Sequence, residues 1–166
     1  MRVDRPQSGT RQRARACTET LEGLVTASFN GHRGFVLTVD LSSDATPSLG
    51  DLRRSVRQSL SHLDTDCVED AELLVTELVS NANDHGRPPV KLRLCQLPNS
   101  LLHIDVEDSD RTHLPRLRAS APGGERGRGL VLVDQLSHGW GFNVTATNKV
   151  VWAEMNCRES SPAGQS

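Results

Sequence analysis

Aromatic side chains are scarce in this chain of 166 residues, where they make up 3% of the sequence and tyrosine is absent. The rings belong to Phe29, Phe35, Phe142, Trp140 and Trp152. The core must therefore consist mostly of leucine, valine and alanine, and a hydrophobic fraction of 36% is enough for one modest core. The sequence lacks the aromatic residues interleaved with basic ones that bind single-stranded nucleic acid.

Strong net charge is also lacking, since the formal net charge is −2 at pH 7. No overall field draws such a chain to nucleic acid, and we expect no nucleic-acid partner. No apolar run approaches the length of a membrane span, and the N-terminus lacks the apolar stretch of a signal peptide. We therefore expect a cytoplasmic protein without a membrane partner.

Cysteines are few and widely scattered, and none of them forms a CxxC pair. They stand at positions Cys17, Cys67, Cys95 and Cys157. This spacing favours reduced thiols in a cytosolic protein over a disulfide framework or a zinc site.

The two ends of the chain differ in composition from its middle. Residues 1–33 contain several arginines and little hydrophobic periodicity, which predicts a disordered basic tail. Such a tail could contact nucleic acid or an acidic partner, but a solvated extension is the commoner case. Residues 158–166 are also predicted to be disordered, which leaves one domain at 34–157.

Within that domain, segments with strand and helix patterns follow one another. Strands are predicted at 35–41, 90–95, 101–108, 140–145 and 149–155, and helices at 47–62, from Asp66 to His85 and at 129–136. Pro47 suits the first turn of the first helix, and Asp66 could cap the second. The short turns between strands predict hairpins. The expected fold is an α/β (α+β) two-layer sandwich, whose mixed, mostly antiparallel sheet is covered on one face by about three helices.

The second helix carries an acid and an amide one turn apart. Glu77 and Asn81 are spaced i, i+4 at the border of its apolar face, where a side chain can line a pocket while the helix stays packed. Carboxylate and amide oxygens suit Mg²⁺, which shares its coordination shell with phosphates. Taken alone, such a pair more often consists of two solvated helix residues.

Two further features follow along the chain. Asp108 ends a predicted strand, where a carboxylate could accept a hydrogen bond from an exocyclic amine, although aspartate is also common in turns. The glycine-rich stretch 123–129 comes directly before a helix, whose N-terminus offers free N–H groups to a phosphate. Its glycine spacing fits neither a Walker A loop nor a dinucleotide fingerprint.

The order of these motifs resembles the GHKL (Bergerat-fold) ATP-binding domain. The motifs are Glu77-x-x-x-Asn81 on a helix, Asp108 at a strand end, the Arg126-Gly127-Arg128-Gly129-Leu130 segment, and a late strand with Lys149-Val150-Val151-Trp152. Within that superfamily the chain resembles the anti-sigma-factor serine kinases and related compact bacterial regulators.

The resemblance implies ATP and Mg²⁺ as cofactors and a role for each motif residue. Glu77 would be the general base, Asn81 the Mg²⁺ ligand, and Asp108 the residue that binds the adenine amino group. The segment 111–126 would be a lid, and Gly127 and Gly129 would contact the phosphates at its hinge. The full set of implied nucleotide-binding residues is Asn81, Asp84, Asp108, Arg126, Gly127, Arg128, Gly129 and Leu130.

The resemblance also implies a function, namely transfer of the ATP γ-phosphate to a serine of an anti-anti-sigma partner. The expected partners are that protein or a sigma factor, and family members commonly form homodimers. The alternative is a non-enzymatic, nucleotide-gated interaction module with the same fold. Val150 stands where the family usually has threonine, which removes a hydroxyl expected near the adenine.

Overall fold

The computed structural model describes residues 34–42, 46–116 and 128–161 of the chain. The tail predicted at 1–33 lies outside these ranges, as do Arg126 and Gly127, so the expectations for them stay predictions. The described residues form one layer of helices on one face of a single β-sheet.

The sheet has five strands in the order β1-β2-β3-β5-β4. Their bounds are Gly34–Asp40 for β1, Lys91–Leu97 for β2, Leu101–Asp108 for β3, Gly139–Val144 for β4 and Lys149–Asn156 for β5. Every neighbouring pair within the described residues is antiparallel, so this sheet, predicted as mixed, is antiparallel throughout that part of the chain. The order places the end of β3 beside the start of β5, and this juxtaposition forms part of the candidate site.

Three helices pack against this sheet. They are α1 at Leu49–Ser59, α2 at Thr65–His85 and α3 at Arg128–Leu136. The long helix α2 contacts both other helices and lies across β3 and β5. The predicted two-layer sandwich is thereby confirmed. No helix in the described ranges combines the length and the apolar character that a membrane span requires.

The core forms where the apolar face of α2 meets the sheet. Leu74, Val75 and Leu78 of the helix are almost completely buried, as are Leu94 and Ile104 of the strands. The buried residues recur with the helical period along α2 and at every second position along the strands, as the sequence pattern predicts. Packing in the core fixes the rotation of α2 about its axis. This rotation determines which side chains of α2 lie at the edge of the core.

The helix starts differ from the predicted ones in two places. Ser48 caps α1 by accepting a hydrogen bond from the Asp51 amide, so Pro47 precedes the cap instead of standing in the first turn. Asp64, not Asp66, caps α2, because its Oδ1 accepts from the Cys67 amide at 2.9 Å. In both helices the cap accepts from the third residue after it, a pattern that Asp66 does not form.

Cys67 and Cys157 form a disulfide, with their Cα atoms 5.5 Å apart and 90 residues between them in sequence. The prediction of reduced thiols is therefore wrong for this pair, whereas Cys95 is buried and takes no part in this disulfide. Sequence spacing did not reveal the pair because the fold brings the first turn of α2 next to the residue that follows β5.

The chain just beyond β5 is also bonded to the body of the domain. Leu63 and Glu159 form an antiparallel bridge, and the Asp64 amide donates to the Arg158 carbonyl at 3.0 Å. The Ser160 amide donates to the carbonyl of His62 at 3.0 Å. These first residues of the segment 158–166 thus differ from the disorder that was expected for it.

The sheet face away from the helices carries a buried polar cluster. Arg93 contacts Asp105 at 2.8 Å and Glu107 at 3.1 Å, while His103 Nδ1 lies 3.1 Å from Glu154 Oε1. Burial raises the pKa of Asp105, although Arg93 opposes this effect. These residues pair with one another, which accounts for their burial.

Candidate active site

Glu77 and Asn81 lie one turn apart on α2 and are both half-buried. Leu78 and Ala82, their neighbours in sequence, are buried in the core, so the acid and the amide lie at the edge of the packed face. Asp84, in the last turn, is exposed. The role of Asp84 in nucleotide binding therefore stays a prediction.

The first turn of α3 lies directly against Glu77. A Cβ atom placed on Gly129 would collide with Glu77 Oε2 and would lie 3.4 Å from its Cδ. Only glycine allows the α3 backbone to approach the carboxylate this closely. The structure thereby brings together two residues that are 52 positions apart in the sequence.

Gly129 is followed by Leu130, which is buried and anchors the first turn of α3. Arg128 is the first residue of this helix. A helix N-terminus presents unpaired N–H groups and the positive end of its dipole. The carboxylate of Glu77 therefore lies at an end of a helix that is also suited to a phosphate.

A second contact joins the far end of α2 to the end of β3. Gly86 follows the last residue of α2, and a Cβ at this glycine would lie 2.8 Å from Asp108 Cγ and would also collide with the Ala82 carbonyl oxygen. Asp108 itself is 1% exposed. The glycine after the helix thus lets α2 end directly on the aspartate.

Both oxygens of Asp108 have partners in the structure. Oδ1 accepts a hydrogen bond from the Asp110 amide at 2.8 Å, and Oδ2 lies 3.3 Å from Lys149 Nζ. Lys149, which sequence analysis noted only as part of a motif, is the cross-strand partner of Asp108 in the β3–β5 register. The carboxylate is therefore held by a backbone amide on one side and an ammonium group on the other.

The same register corrects the expectation for Val150. Cross-strand partners share a face of the sheet, and Val150 pairs with Glu107, whereas Asp108 pairs with Lys149. The side chain at 150 therefore projects from the face opposite Asp108. A missing hydroxyl there does not remove a contact near Asp108.

Asp110 organises the turn after β3, a role that the sequence did not reveal. Hydrogen bonds from Thr112, through its hydroxyl at 2.6 Å and its amide at 2.8 Å, and from His113 hold the pKa of Asp110 well below its usual range. The carboxylate is 4% exposed and also lies 3.9 Å from Arg87 Nε. Aspartate followed two residues later by a hydroxyl is a turn signal that could have identified it.

The two contact regions lie along the same helix. Glu77 and Gly86 are nine positions apart, which is roughly 14 Å along an α-helix. A helix N-terminus lies at one end and a buried acceptor at the other.

The residues at Glu77 fit a divalent cation that is shared with phosphates. Glu77 and Asn81 offer hard oxygen ligands, which Mg²⁺ prefers. The described residues contain no group of three or more histidine, cysteine or acidic side chains that could hold a metal ion by itself. An ion at this place would therefore need phosphate or water oxygens to complete its shell.

The sequence matches the model of the histidine kinase-like ATPase domain over residues 41–155. The chain belongs to this family. The matched range contains Glu77, Asn81, Asp108, Gly129 and Lys149, and membership implies that the ATPase domain binds ATP. The resemblance to the GHKL fold that the motifs indicated is thereby confirmed.

The fold is also similar to that of a solved structure. The RsbU and RsbW domains of Rv1364c from Mycobacterium tuberculosis match with a TM-score of 0.55 and 15% identity. That match covers 93% of this chain but 44% of the other, so this chain spans less than half the length of the chain it matches. The histidine kinase domain of Erythrobacter litoralis EL346 matches at 20% identity and a TM-score of 0.40, covering 92% and 88% of the two chains. No curated protein matches the sequence significantly.

Proposed function

We propose that the chain is an ATP-dependent protein serine kinase of the anti-sigma-factor type. It transfers the ATP γ-phosphate to a serine of an anti-anti-sigma protein and so controls, by partner switching, the release of a sigma factor in the cytoplasm. The observation that carries this proposal is the contact between Glu77 and the first turn of α3 at Gly129. It places a carboxylate beside the helix end that is suited to phosphates.

In this proposal Glu77 is the general base. A half-buried carboxylate next to the phosphate-binding end can accept the proton of an incoming serine hydroxyl. Asn81, one turn further along α2, would hold Mg²⁺ together with the phosphates. The ion would supply positive charge that offsets the charge of the transferring group. Positioning and charge compensation are most of what phosphoryl transfer requires, which fits a site with few reactive groups.

The nucleotide base would bind at Asp108, at the other end of α2. An ionised carboxylate accepts hydrogen bonds only, which suits the exocyclic amine of adenine. Because Asp108 is buried, a base could reach it only after a local rearrangement around the turn that follows β3. The RsbW domain in the Rv1364c structure supports the choice of an anti-sigma-type kinase, since its fold is similar to that of this chain.

Nucleotide binding is tested by thermal unfolding with and without Mg-ATP. At 100 times its dissociation constant a ligand stabilises the folded state by about 2.7 kcal/mol, which should raise the unfolding midpoint by several degrees. Asn81→Ala should remove this shift. Asn83→Ala, an exposed position on the same helix, should keep it and serves as the matched control. No shift in the parent at millimolar nucleotide would contradict ATP binding.

Phosphotransfer is tested with labelled ATP and candidate anti-anti-sigma proteins. Glu77→Gln should reduce transfer by about 10²- to 10⁴-fold, because it removes a general base and preserves the shape of the side chain. Glu69→Gln changes an exposed acid on the same helix and should transfer like the parent. Transfer by Glu77→Gln at the parent's rate would show that the base is another group. A parent that binds ATP and a partner but transfers nothing would instead be a nucleotide-gated interaction module.

A further inference from the structure

Lys149 is a buried lysine whose ammonium group has two contacts at the end of the candidate site. Its side chain is 2% exposed, and Nζ lies 3.3 Å from Asp108 Oδ2 and donates to the carbonyl oxygen of His113 at 2.8 Å. Lysine is rarely buried unless it is paired, because removing an ammonium group from water is costly. The contacts with the Asp108 carboxylate and the His113 carbonyl oxygen therefore account for the burial of the lysine.

The backbone of the sheet fixes the contact between Lys149 and Asp108. The two residues are direct cross-strand partners at the end of β3 and the start of β5. They continue the face that carries Val106 and Val151, both of which are buried in the core. Because paired strands set the separation of the Cβ atoms of direct partners, the register places the two side chains next to each other.

The second contact of Lys149 connects it to the turn after β3. The His113 carbonyl oxygen accepts from Nζ, and the Asp110 carboxylate holds the same turn through Thr112 and His113. The Asp110 amide in turn donates to Asp108 Oδ1. The orientation of Asp108 therefore depends on Lys149 twice, directly through Oδ2 and indirectly through the turn.

We propose that Lys149 is a positioning residue that orients the Asp108 carboxylate as an acceptor, so that the site selects purine nucleotides with an amino group at C6. The proposal rests on the proposed function, in which Asp108 contacts the base. An ionised carboxylate has lone pairs for a further donor beside its two partners but has no hydrogen to donate. The base reaches it once the turn after β3 has rearranged, and the direct contact with Lys149 then keeps the carboxylate oriented. A purine that carries a carbonyl oxygen at the same ring position would place one acceptor against another.

The test compares the affinities of the folded protein for Mg-ATP and Mg-GTP by titration calorimetry. The parent should prefer ATP by roughly 10- to 100-fold, the range expected for a hydrogen bond to a charged group. Lys149→Met should bring the ratio close to one. The chain offers a matched control in Lys91, its other lysine, which is exposed, and Lys91→Met should keep the parent's ratio. A folded Lys149→Met variant with the parent's ratio would overturn the proposal.

A second variant covers the case in which Lys149→Met does not fold. Asp108→Asn combined with Lys149→Met removes both charges, so no unpaired charge is buried. Its amide can both donate and accept, and the preference for ATP should again disappear. Retention of the preference would contradict the proposal. A parent that binds both nucleotides equally would overturn this inference alone, whereas a parent that binds neither would overturn the proposed function on which it rests.

Discussion

At the scale of single residues, two glycines let α2 contact the rest of the site. Gly129 leaves room for the Glu77 carboxylate, and Gly86 leaves room for Asp108. The consequences of adding a methyl group differ at the two positions. At Gly86 the added atom would collide with the Ala82 backbone oxygen, which cannot move freely, whereas at Gly129 it would meet the end of a flexible side chain.

Gly129→Ala should therefore impair activity without reducing stability. The methyl group displaces the Glu77 carboxylate, and misplacement of a catalytic group by about 1 Å can cost about 10²-fold in rate. Alanine is itself a good helix former, so the free energy of unfolding should not fall. The measurements are phosphotransfer rate and thermal midpoint. Gly50→Ala is the control, since a Cβ there would only meet Ser48 Oγ at 3.7 Å. Parent-like transfer by Gly129→Ala would contradict the role of this contact.

At the scale of elements, the start of α2 determines where its functional residues lie. Asp64 accepts from the Cys67 amide through Oδ1 and from the Arg158 amide, at 3.2 Å, through Oδ2. One carboxylate thus caps the helix and ties it to the segment after β5. Glu77 and Asn81 lie farther along the same helix, so their positions depend on this start.

Replacement of the cap should destabilise the domain. Asp64→Ala should lower the free energy of unfolding by about 1–2 kcal/mol, because the Cys67 amide loses its partner. Asp66→Ala, which removes the exposed acid that sequence analysis took for the cap, should cost only a few tenths of a kcal/mol. Denaturant unfolding of the two variants separates these cases. A larger loss for Asp66→Ala would mean that the cap has been misassigned.

At the scale of the whole molecule, a disulfide joins the first turn of α2 to the residue that follows β5. The Cys67–Cys157 disulfide encloses α2, β2, β3, α3, β4 and β5 in one loop. A cross-link of this length restricts the unfolded chain strongly, and loop-closure arithmetic assigns it about 4 to 5 kcal/mol. It is therefore expected to be one of the larger single contributions to stability.

Reduction should consequently lower the thermal midpoint of the parent by roughly 10 °C or more. The double variant Cys67→Ser/Cys157→Ser should unfold at the midpoint of the reduced parent, and a reducing agent should leave its midpoint unchanged. Calorimetry with and without a dithiol reductant gives all four values. An identical midpoint for the oxidised and reduced parent would show that the disulfide does not stabilise the fold in solution.

Local patterns in the sequence were sufficient for the element types and for most bounds. The buried face of β3 appears in the sequence as apolar residues at alternate positions, and the buried face of α2 appears as apolar residues at the helical period. The layer architecture followed from these patterns, and the order of motifs indicated the family. Glu77, Asn81 and Asp108 could be proposed as site residues for the same reason, since each lies within a recognisable local motif.

Secondary structure and the set of candidate residues could be predicted from the amino-acid sequence, because both depend on neighbours in the chain. Which of these residues meet depends on the packing of the folded domain. Strand register assigned Lys149, not Val150, to the face of Asp108, and helix packing placed Gly129 against Glu77. The same long-range packing brought Cys67 to Cys157. No local pattern encodes these contacts, since each depends on how distant segments fit together once the core has formed.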